Sequence, residues 1–351
     1  MKELFITTKI TIKESMRKLT KTGERCLLVV DNNFLLGTLT DGDLRKAILS
    51  GKSPQSSIID IFNSNPFSLV KGQYSLEQAK GIFIENKLSI IPILSESGKV
   101  VDVETWGNIF SEDYKLEKNK NNIPVVIMAG GTGSRLKPVT NILPKPLLPI
   151  NDVPIVNHII DKFYALGFMD FYLSVNYKSG IIKAYFDELE HDYSISFIEE
   201  DKPLGTAGSL SDLVDKIDEP FFVTNCDIII DADYLELYEF HIKNNYDITL
   251  VASSKEFTVP YGVCVLDEKK GGLSHIHEKP KYDFLVNTGL YILSQDILKI
   301  IPTDHFYHIT DLISDAQKLG KKIGVYPVSE ESWIDIGQWE EYKQAIEKIG
   351  I

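Results

Sequence analysis

The residues best suited to chemistry lie in two neighbouring stretches, Met128-Ala-Gly-Gly-Thr-Gly-Ser-Arg-Leu-Lys-Pro-Val-Thr140 and Leu143-Pro-Lys-Pro-Leu-Leu-Pro149. Glycine tolerates backbone conformations other residues avoid and lets a ligand approach the main chain closely. The N–H groups around Ala129, Gly130, Gly131 and Gly133 can therefore wrap a polyphosphate. Arg135 and Lys145 supply countercharge, and the prolines at 138, 144, 146 and 149 stiffen the segment that carries them. Lys137 reads more simply as a solvated cation. The chemistry this suits is the binding and alignment of a phosphorylated substrate.

Two other phosphate-binding patterns fit less well. A P-loop needs G-x-x-x-x-G-K-[ST], and the chain has no such string. A dinucleotide fingerprint needs G-x-G-x-x-G, but Gly131-Thr-Gly133 is followed by Leu136 where the third glycine should stand. This disfavours a nicotinamide-dependent enzyme.

An element must deliver the glycine turn, and the apolar run Ile123-Pro-Val-Val-Ile-Met128 just before it reads as a buried strand. Beyond it, strands expected at 125–128, 171–175, 195–199, 221–223 and 248–252 alternate with helices at 155–166, 181–189, 206–217 and 234–244. Such alternation predicts an α/β domain with a mainly parallel sheet covered on both faces. Residues 263–266 and 273–277, separated by Asp267-Glu-Lys-Lys-Gly-Gly272, read as a hairpin.

The 351 residues suggest two or three domains, and 43% hydrophobic with 25% charged residues is ordinary for a globular protein. No apolar run reaches the roughly 18 residues of a membrane helix, and Met1-Lys-Glu-Leu-Phe5 lacks a signal-peptide pattern. Cys26, Cys226 and Cys264 are scattered without metal spacing, so a reducing, cytoplasmic setting is expected. Residues 1–120 carry 17 Lys and Arg against 15 Asp and Glu, net +2; residues 121–351 carry 20 against 35, net −15. An acidic main domain argues against nucleic acid as a partner. His275, His277, His305 and His308 find no matching Cys/His set and read as solvated or core histidines.

G-G-x-G-x-R-L-x-P-x-T followed by P-K-P-L-x-P-I resembles the signature of the sugar-1-phosphate nucleotidyltransferases, and the likeness runs from about Ile123 to the end of the chain. The resemblance implies a Rossmann-like nucleotidyltransferase domain over residues 119–351. The implied reaction takes an NTP and a sugar 1-phosphate to an NDP-sugar and pyrophosphate, with Mg²⁺ as cofactor. It further implies that Arg135 holds the departing phosphates and that Lys145 bridges the α-phosphate and the incoming phosphate. Asp227, closing Phe221-Phe-Val-Thr-Asn-Cys-Asp227, and Asp335, in Ser332-Trp-Ile-Asp-Ile-Gly337, become metal ligands. Hard oxygen donors suit Mg²⁺, and a strand's carboxyl end is where open α/β sheets place ligands. Glu278-Lys-Pro280 resembles the family's E-K-P motif, with Lys279 on the sugar phosphate and Glu278 on a sugar hydroxyl. Val286-Asn-Thr-Gly-Leu290 puts Asn287 and Thr288 near the sugar. In Pro203-Leu-Gly-Thr-Ala-Gly208 the resemblance gives Gly205 and Thr206 to the nucleotide and Gly208 to the sugar. This form is more like guanylyl- and cytidylyltransferases than thymidylyltransferases, so GTP is the expected donor.

The first part of the chain holds a weak repeat at an offset of 64 or 65 residues. Thr11-Ile-Lys-Glu-Ser-Met16 matches Ser75-Leu-Glu-Gln-Ala-Lys80, Cys26-Leu-Leu-Val-Val30 matches Ile90-Ile-Pro-Ile-Leu94, and Leu39-Thr-Asp-Gly-Asp-Leu44 matches Glu104-Thr-Trp-Gly-Asn-Ile109. The first copy resembles the end of a CBS motif, which implies an α+β tandem CBS (Bateman) module over residues 1–118, with repeats of about 1–60 and 61–118. Thr40 and Asp43 would then hold the phosphate and ribose of a regulatory nucleotide; the second copy has Asn108 in place of the Asp. The alternative is a structural or dimerising module without ligand. A homo-oligomer is expected, with no membrane partner.

A CBS pair joined to a compact transferase resembles enzymes of bacterial surface-sugar pathways. Among these, guanylyltransferases acting on glucosamine 1-phosphate in legionaminic acid synthesis match best in pattern, with mannose 1-phosphate and heptose 1-phosphate as near alternatives. The rival from another class is a non-catalytic nucleotide-sugar sensor. It would be marked by loss of Asp227, Asp335, Arg135 or Lys145, and all four are present.

Overall fold

The computed structural model describes residues 2–86, 88–105, 109, 120–266 and 272–349. Asn108, most of the polar stretch 111–122, which reads as a linker, and the hairpin turn at 267–271 lie outside them.

Seven strands form the main sheet, in the order Ser194–Glu199, Asp170–Val175, Val125–Met128, Phe221–Asn225, Lys281–Leu293, Ile248–Thr258, Ile323–Val328. The first four run parallel, and Lys281–Leu293 returns antiparallel against Phe221–Asn225. Val125–Met128 is fully apolar and buried because it has neighbours on both edges and cover on both faces. Its partner on one side follows directly in sequence and its partner on the other comes later, so the strand order reverses there. This is the switch point at which open α/β sheets bind ligands, and the glycine turn leaves from it.

One large core packs Val126, Phe221, Val223, Tyr291 and Leu293 from the sheet against Leu210, Leu213, Ile297, Ile309 and Leu312. Helices Ile155–Tyr164, Ser179–Glu188 and Tyr234–Lys243 match their expected positions closely. The helix expected at 206–217 is instead a short 3₁₀ turn, Gly208–Leu213. Asp215 adopts a left-handed φ of 64°, which ends any helical path, and Ser209 shares a hydroxyl hydrogen bond with Ser174 at 2.8 Å. The expected hairpin strands occur as Val263–Leu266 and Leu273–His277. Among the described residues no helix is long and apolar enough to cross a membrane.

The first 105 residues hold two three-stranded sheets of the same design. Phe5–Ile6 runs parallel to Cys26–Asp31, which pairs antiparallel with Phe34–Thr40; Leu69–Val70, Ile90–Leu94 and Val100–Thr105 repeat the arrangement. Even the register irregularity recurs, between Val29 and Val30 and between Ile93 and Leu94. The two copies meet at Phe34 and Lys99, residues that correspond across the repeat, over a small core including Leu28, Val30 and Val100. Thr11 with Glu14, and Ser75 with Gln78, cap their helices reciprocally.

The compact units depart from a division near residue 118. One contains Met1–Lys115, Ser253–Val286 and Pro327–Glu331; the other contains Leu116–Ala252, Asn287–Tyr326 and Ser332–Ile351. A charge cluster accounts for the first grouping. Buried Lys13 donates to Glu256 at 2.9 Å and to Asp283 at 3.1 Å, and Gln55 also donates to Asp283 at 2.9 Å. Sequence spacing cannot reveal contacts 243 and 270 residues apart.

His241 provides a test of the main core. It is buried between Thr249 Oγ1 (2.8 Å) and Ser294 Oγ (3.2 Å), and burial pushes its pKa down to about 4 from 6.5. The unfolded chain therefore takes up a proton that the folded chain refuses. His241's contribution to stability is complete above about pH 6.5 and is lost as pH falls towards 4, a loss of about 3 kcal/mol at most. Urea unfolding at pH 7.5 and pH 4.5 should show a steeper loss of stability in the native chain than in His241→Gln; equal slopes would refute this.

Candidate nucleotide-binding and catalytic site

The glycine turn and the end of strand Phe221–Asn225 open on one cavity of about 410 Å³. Strand register explains the meeting: Asn225 pairs with Met128, so Gly130 and Asp227 leave the sheet at the same end. Gly130, Gly131, Gly133, Arg135, Lys145, Gly205, Thr206 and Asp227 all line the cavity. Ala129 does not; its N–H is spent on Ser174 O at 2.8 Å, and the residue is buried.

The glycines serve different ends. Gly133 has φ 61°, and a Cβ there would lie 2.8 Å from Thr140 Cγ2. Gly131 has nothing within 4 Å of a Cβ and presents bare backbone to the cavity. Gly205, φ +81°, and Gly208 are pressed against another chain segment: their Cβ atoms would stand 2.6 Å from Tyr307 O and 2.5 Å from His305 O. For Gly208 this packing, not an opening to a sugar, is what the geometry requires. Thr206 Oγ1 accepts from Ile309 N at 3.0 Å.

Lys145, only 8% exposed, donates to Asp227 Oδ2 at 2.6 Å. Asp335 reaches Asp227 through a second, two-stranded sheet. Ile228–Ile230 pairs antiparallel with Trp333–Asp335, placing Asp335 opposite Ile228, and Ile336 N donates to Asp227 O at 2.7 Å. Burial raises the Asp335 pKa above the usual carboxylate range, and the neighbouring Asp227 carboxylate raises it further. The Gly337 N–H at 2.8 Å and Lys145 work the other way. Two crowded carboxylates with oxygen-only chemistry form a donor set that fits a hard dication. Among the described residues no three His, Cys, Asp or Glu side chains gather as a ready-made metal cage.

Asn287 donates to Tyr291 Oη at 2.7 Å and accepts from Gly289 N. Thr288 is buried, its hydroxyl donating to Val251 O at 2.8 Å, which gives it a structural role. Glu278 and Lys279 belong to the other compact unit. There Lys279 takes a left-handed φ of 46°, and Glu278 Oε2 would lie 2.9 Å from a Cβ on Gly262. Also in that unit, Thr40 and Asp43 form a capping box at the start of helix Asp41–Leu49, with Thr40 Oγ1 donating to Asp43 Oδ2 at 2.7 Å.

Two cavity residues have no role in the sequence motifs, although Glu200 heads the stretch Glu200-Asp-Lys-Pro-Leu-Gly-Thr-Ala-Gly-Ser209. Glu200 is 9% exposed, with Oε2 accepting from Leu204 N at 2.9 Å and Oε1 accepting from the Ser174 hydroxyl. Phe306 lines the same cavity. One acid among 50 and one phenylalanine among 17 carry no spacing signal; only the fold selects them.

Residues 124–350 match the nucleotidyl transferase family model, and residues 1–50 the CBS domain model. The chain belongs to the nucleotidyl transferase family. A mannose-1-phosphate guanyltransferase of Yarrowia lipolytica is 34% identical over 227 residues, 62% of this chain and 61% of that protein. That of Aspergillus fumigatus is 36% identical over 231 residues, with the same coverage. The chain thus spans about three fifths of the length of these curated relatives. The crystal structure of HddC from Yersinia pseudotuberculosis superimposes with a TM-score of 0.51 at 29% identity, over 65% of this chain and 99% of that one. A putative glucose-1-phosphate thymidylyltransferase from Bacillus anthracis, at 23% identity and TM-score 0.51, covers 64% of this chain and 94% of its own and shares the fold.

Gly205 and Gly131 make a matched pair. Alanine at 205 must hold a left-handed φ and displace Tyr307, at a cost of about 1–3 kcal/mol. Alanine at 131 meets open space. Denaturant titrations should find Gly205→Ala clearly destabilised and Gly131→Ala close to native; the reverse order would contradict the packing described.

Proposed function

We propose that the chain is a Mg²⁺-dependent sugar-1-phosphate guanylyltransferase. The observation that carries this reading is the convergence of Arg135, Lys145, Asp227 and Asp335 at the glycine turn of a nucleotidyl transferase fold. A sugar phosphate oxygen bonds to the α-phosphorus of the NTP, the α–β phosphoanhydride bond breaks, and pyrophosphate leaves. The nucleophile is already an anion, so no general base is needed. The requirement is to neutralise mutually repelling phosphates and align them in line. The bare N–H groups near Gly130 and Gly131 and the Arg135 guanidinium serve the departing phosphates. Lys145 serves the α-phosphate and the incoming phosphate. Asp227 and Asp335 would hold Mg²⁺, which supplies Lewis-acid neutralisation of phosphoryl oxygens when bound. By motif, Lys279 is assigned to the sugar phosphate, Glu278 to a sugar hydroxyl and Asn287 to the sugar.

Guanine is favoured by Glu200. A carboxylate only accepts, with about four lone-pair sites, and guanine presents two N–H donors side by side on one edge. Relatives named mannose-1-phosphate guanyltransferases support the same base, as does a structure of HddC complexed with GMP-PN. Their names favour mannose 1-phosphate as acceptor. Glucosamine 1-phosphate, in a bacterial surface-glycan or nonulosonic acid pathway, is the reading favoured by the CBS combination. A regulatory nucleotide at Thr40 and Asp43 belongs to the same proposal.

Pyrophosphate release should require Mg²⁺, GTP and one sugar 1-phosphate from a panel of mannose, glucosamine, glucose and heptose phosphates. Asp227→Asn should lower turnover at least 100-fold with the fold intact by circular dichroism. Near-native turnover in that variant would remove Asp227 from the mechanism.

A further inference from the structure

Phe306 is 62% exposed, yet its ring lines the cavity beside Pro203, Gly205 and Thr206. Single exposed apolar side chains are ordinary on a protein surface; what sets this one apart is its place in the wall of a polar cavity. The backbone around it is fixed. Tyr307 N donates to Leu204 O at 2.9 Å, and Ala207 N donates to Tyr307 O at 3.0 Å. Gly205 and Gly208 have no side chain where one would collide with this segment. The next two residues are anchored as well: the Tyr307 hydroxyl donates to Asp315 at 2.7 Å, and His308 N to Asp311 at 3.1 Å. The His308 ring meets Phe306 edge-on at 4.8 Å. Phe306 is thus an aromatic face displayed from a rigid base.

The cavity's charged wall, with Arg135 and Lys145, suits phosphates, for which a phenyl ring has nothing to offer. Among the described residues lining the cavity, Phe306 is the one aromatic side chain. A planar heteroaromatic ring is the ligand group that gains most from it, since every base has a π-face. We infer that Phe306 is the stacking platform for the nucleobase of the bound NTP, acting on the face while Glu200 addresses the edge. This rests on the nucleotidyltransferase reading.

Direct binding by calorimetry to the full chain tests it, with GTP, ATP and inorganic tripolyphosphate as ligands. Phe306→Ala should weaken GTP and ATP alike, about tenfold or more. The GTP-to-ATP ratio and tripolyphosphate binding should not change, and Phe306→Tyr should restore GTP affinity. Unaltered GTP affinity in Phe306→Ala would overturn the inference, as would an equal loss for tripolyphosphate, which would make the ring a structural support. If native protein binds neither GTP nor tripolyphosphate, the nucleotidyltransferase reading itself fails.

Discussion

The contact on which the site depends is the 2.6 Å pair between Lys145 and Asp227. It joins the proline-stiffened segment after the glycine turn to the end of a strand more than 80 residues later. The antiparallel pairing of Ile228–Ile230 with Trp333–Asp335 then brings in a second carboxylate. Burial and like charge raise the Asp335 pKa, so this arrangement works against itself electrostatically. The fold imposes it through backbone hydrogen bonds, including Ile336 N to Asp227 O. Perturbed groups of this kind cluster at functional sites. Positive charge delivered by a lysine, or by a bound dication, is what makes two carboxylates at one end of this small sheet tolerable.

The glycines divide the labour on the other side. Gly131 keeps backbone open to the cavity, whereas Gly205 and Gly208 let residues 305–308 lie directly on the loop beside it. Two of the six residues of Pro203-Leu-Gly-Thr-Ala-Gly208 therefore shape the cavity wall by what they omit. Thr206 adds a hydroxyl that accepts from Ile309 N at the start of the next helix.

Much of this was legible in the sequence. The strand at 125–128 matches its expected bounds, because a short apolar run before a glycine turn leaves little choice. The repeat at 64 or 65 residues corresponds to two sheets of equal design, down to their shared irregularity. The cations and Asp227 sit in local motifs, and the fold brings them to one cavity. What stayed hidden depends on contacts remote in sequence: Glu200 and Phe306 in the cavity wall, the His305–Gly208 approach, and the grouping of Ser253–Val286 with the first 115 residues through Lys13. The expected helix at 206–217 shows a different failure. Its composition allowed a helix, and the left-handed Asp215 with packing at Gly208 decided against it.

The central claim is that nucleotidyl transfer occurs at the α-phosphorus, and the fate of that atom tests it most directly. Protein incubated with Mg²⁺, GTP labelled at the α-phosphorus and the sugar 1-phosphate panel should place the label in a sugar nucleotide and release unlabelled pyrophosphate. Label that stays in GTP with every sugar, or appears in GDP with release of orthophosphate, would contradict the account.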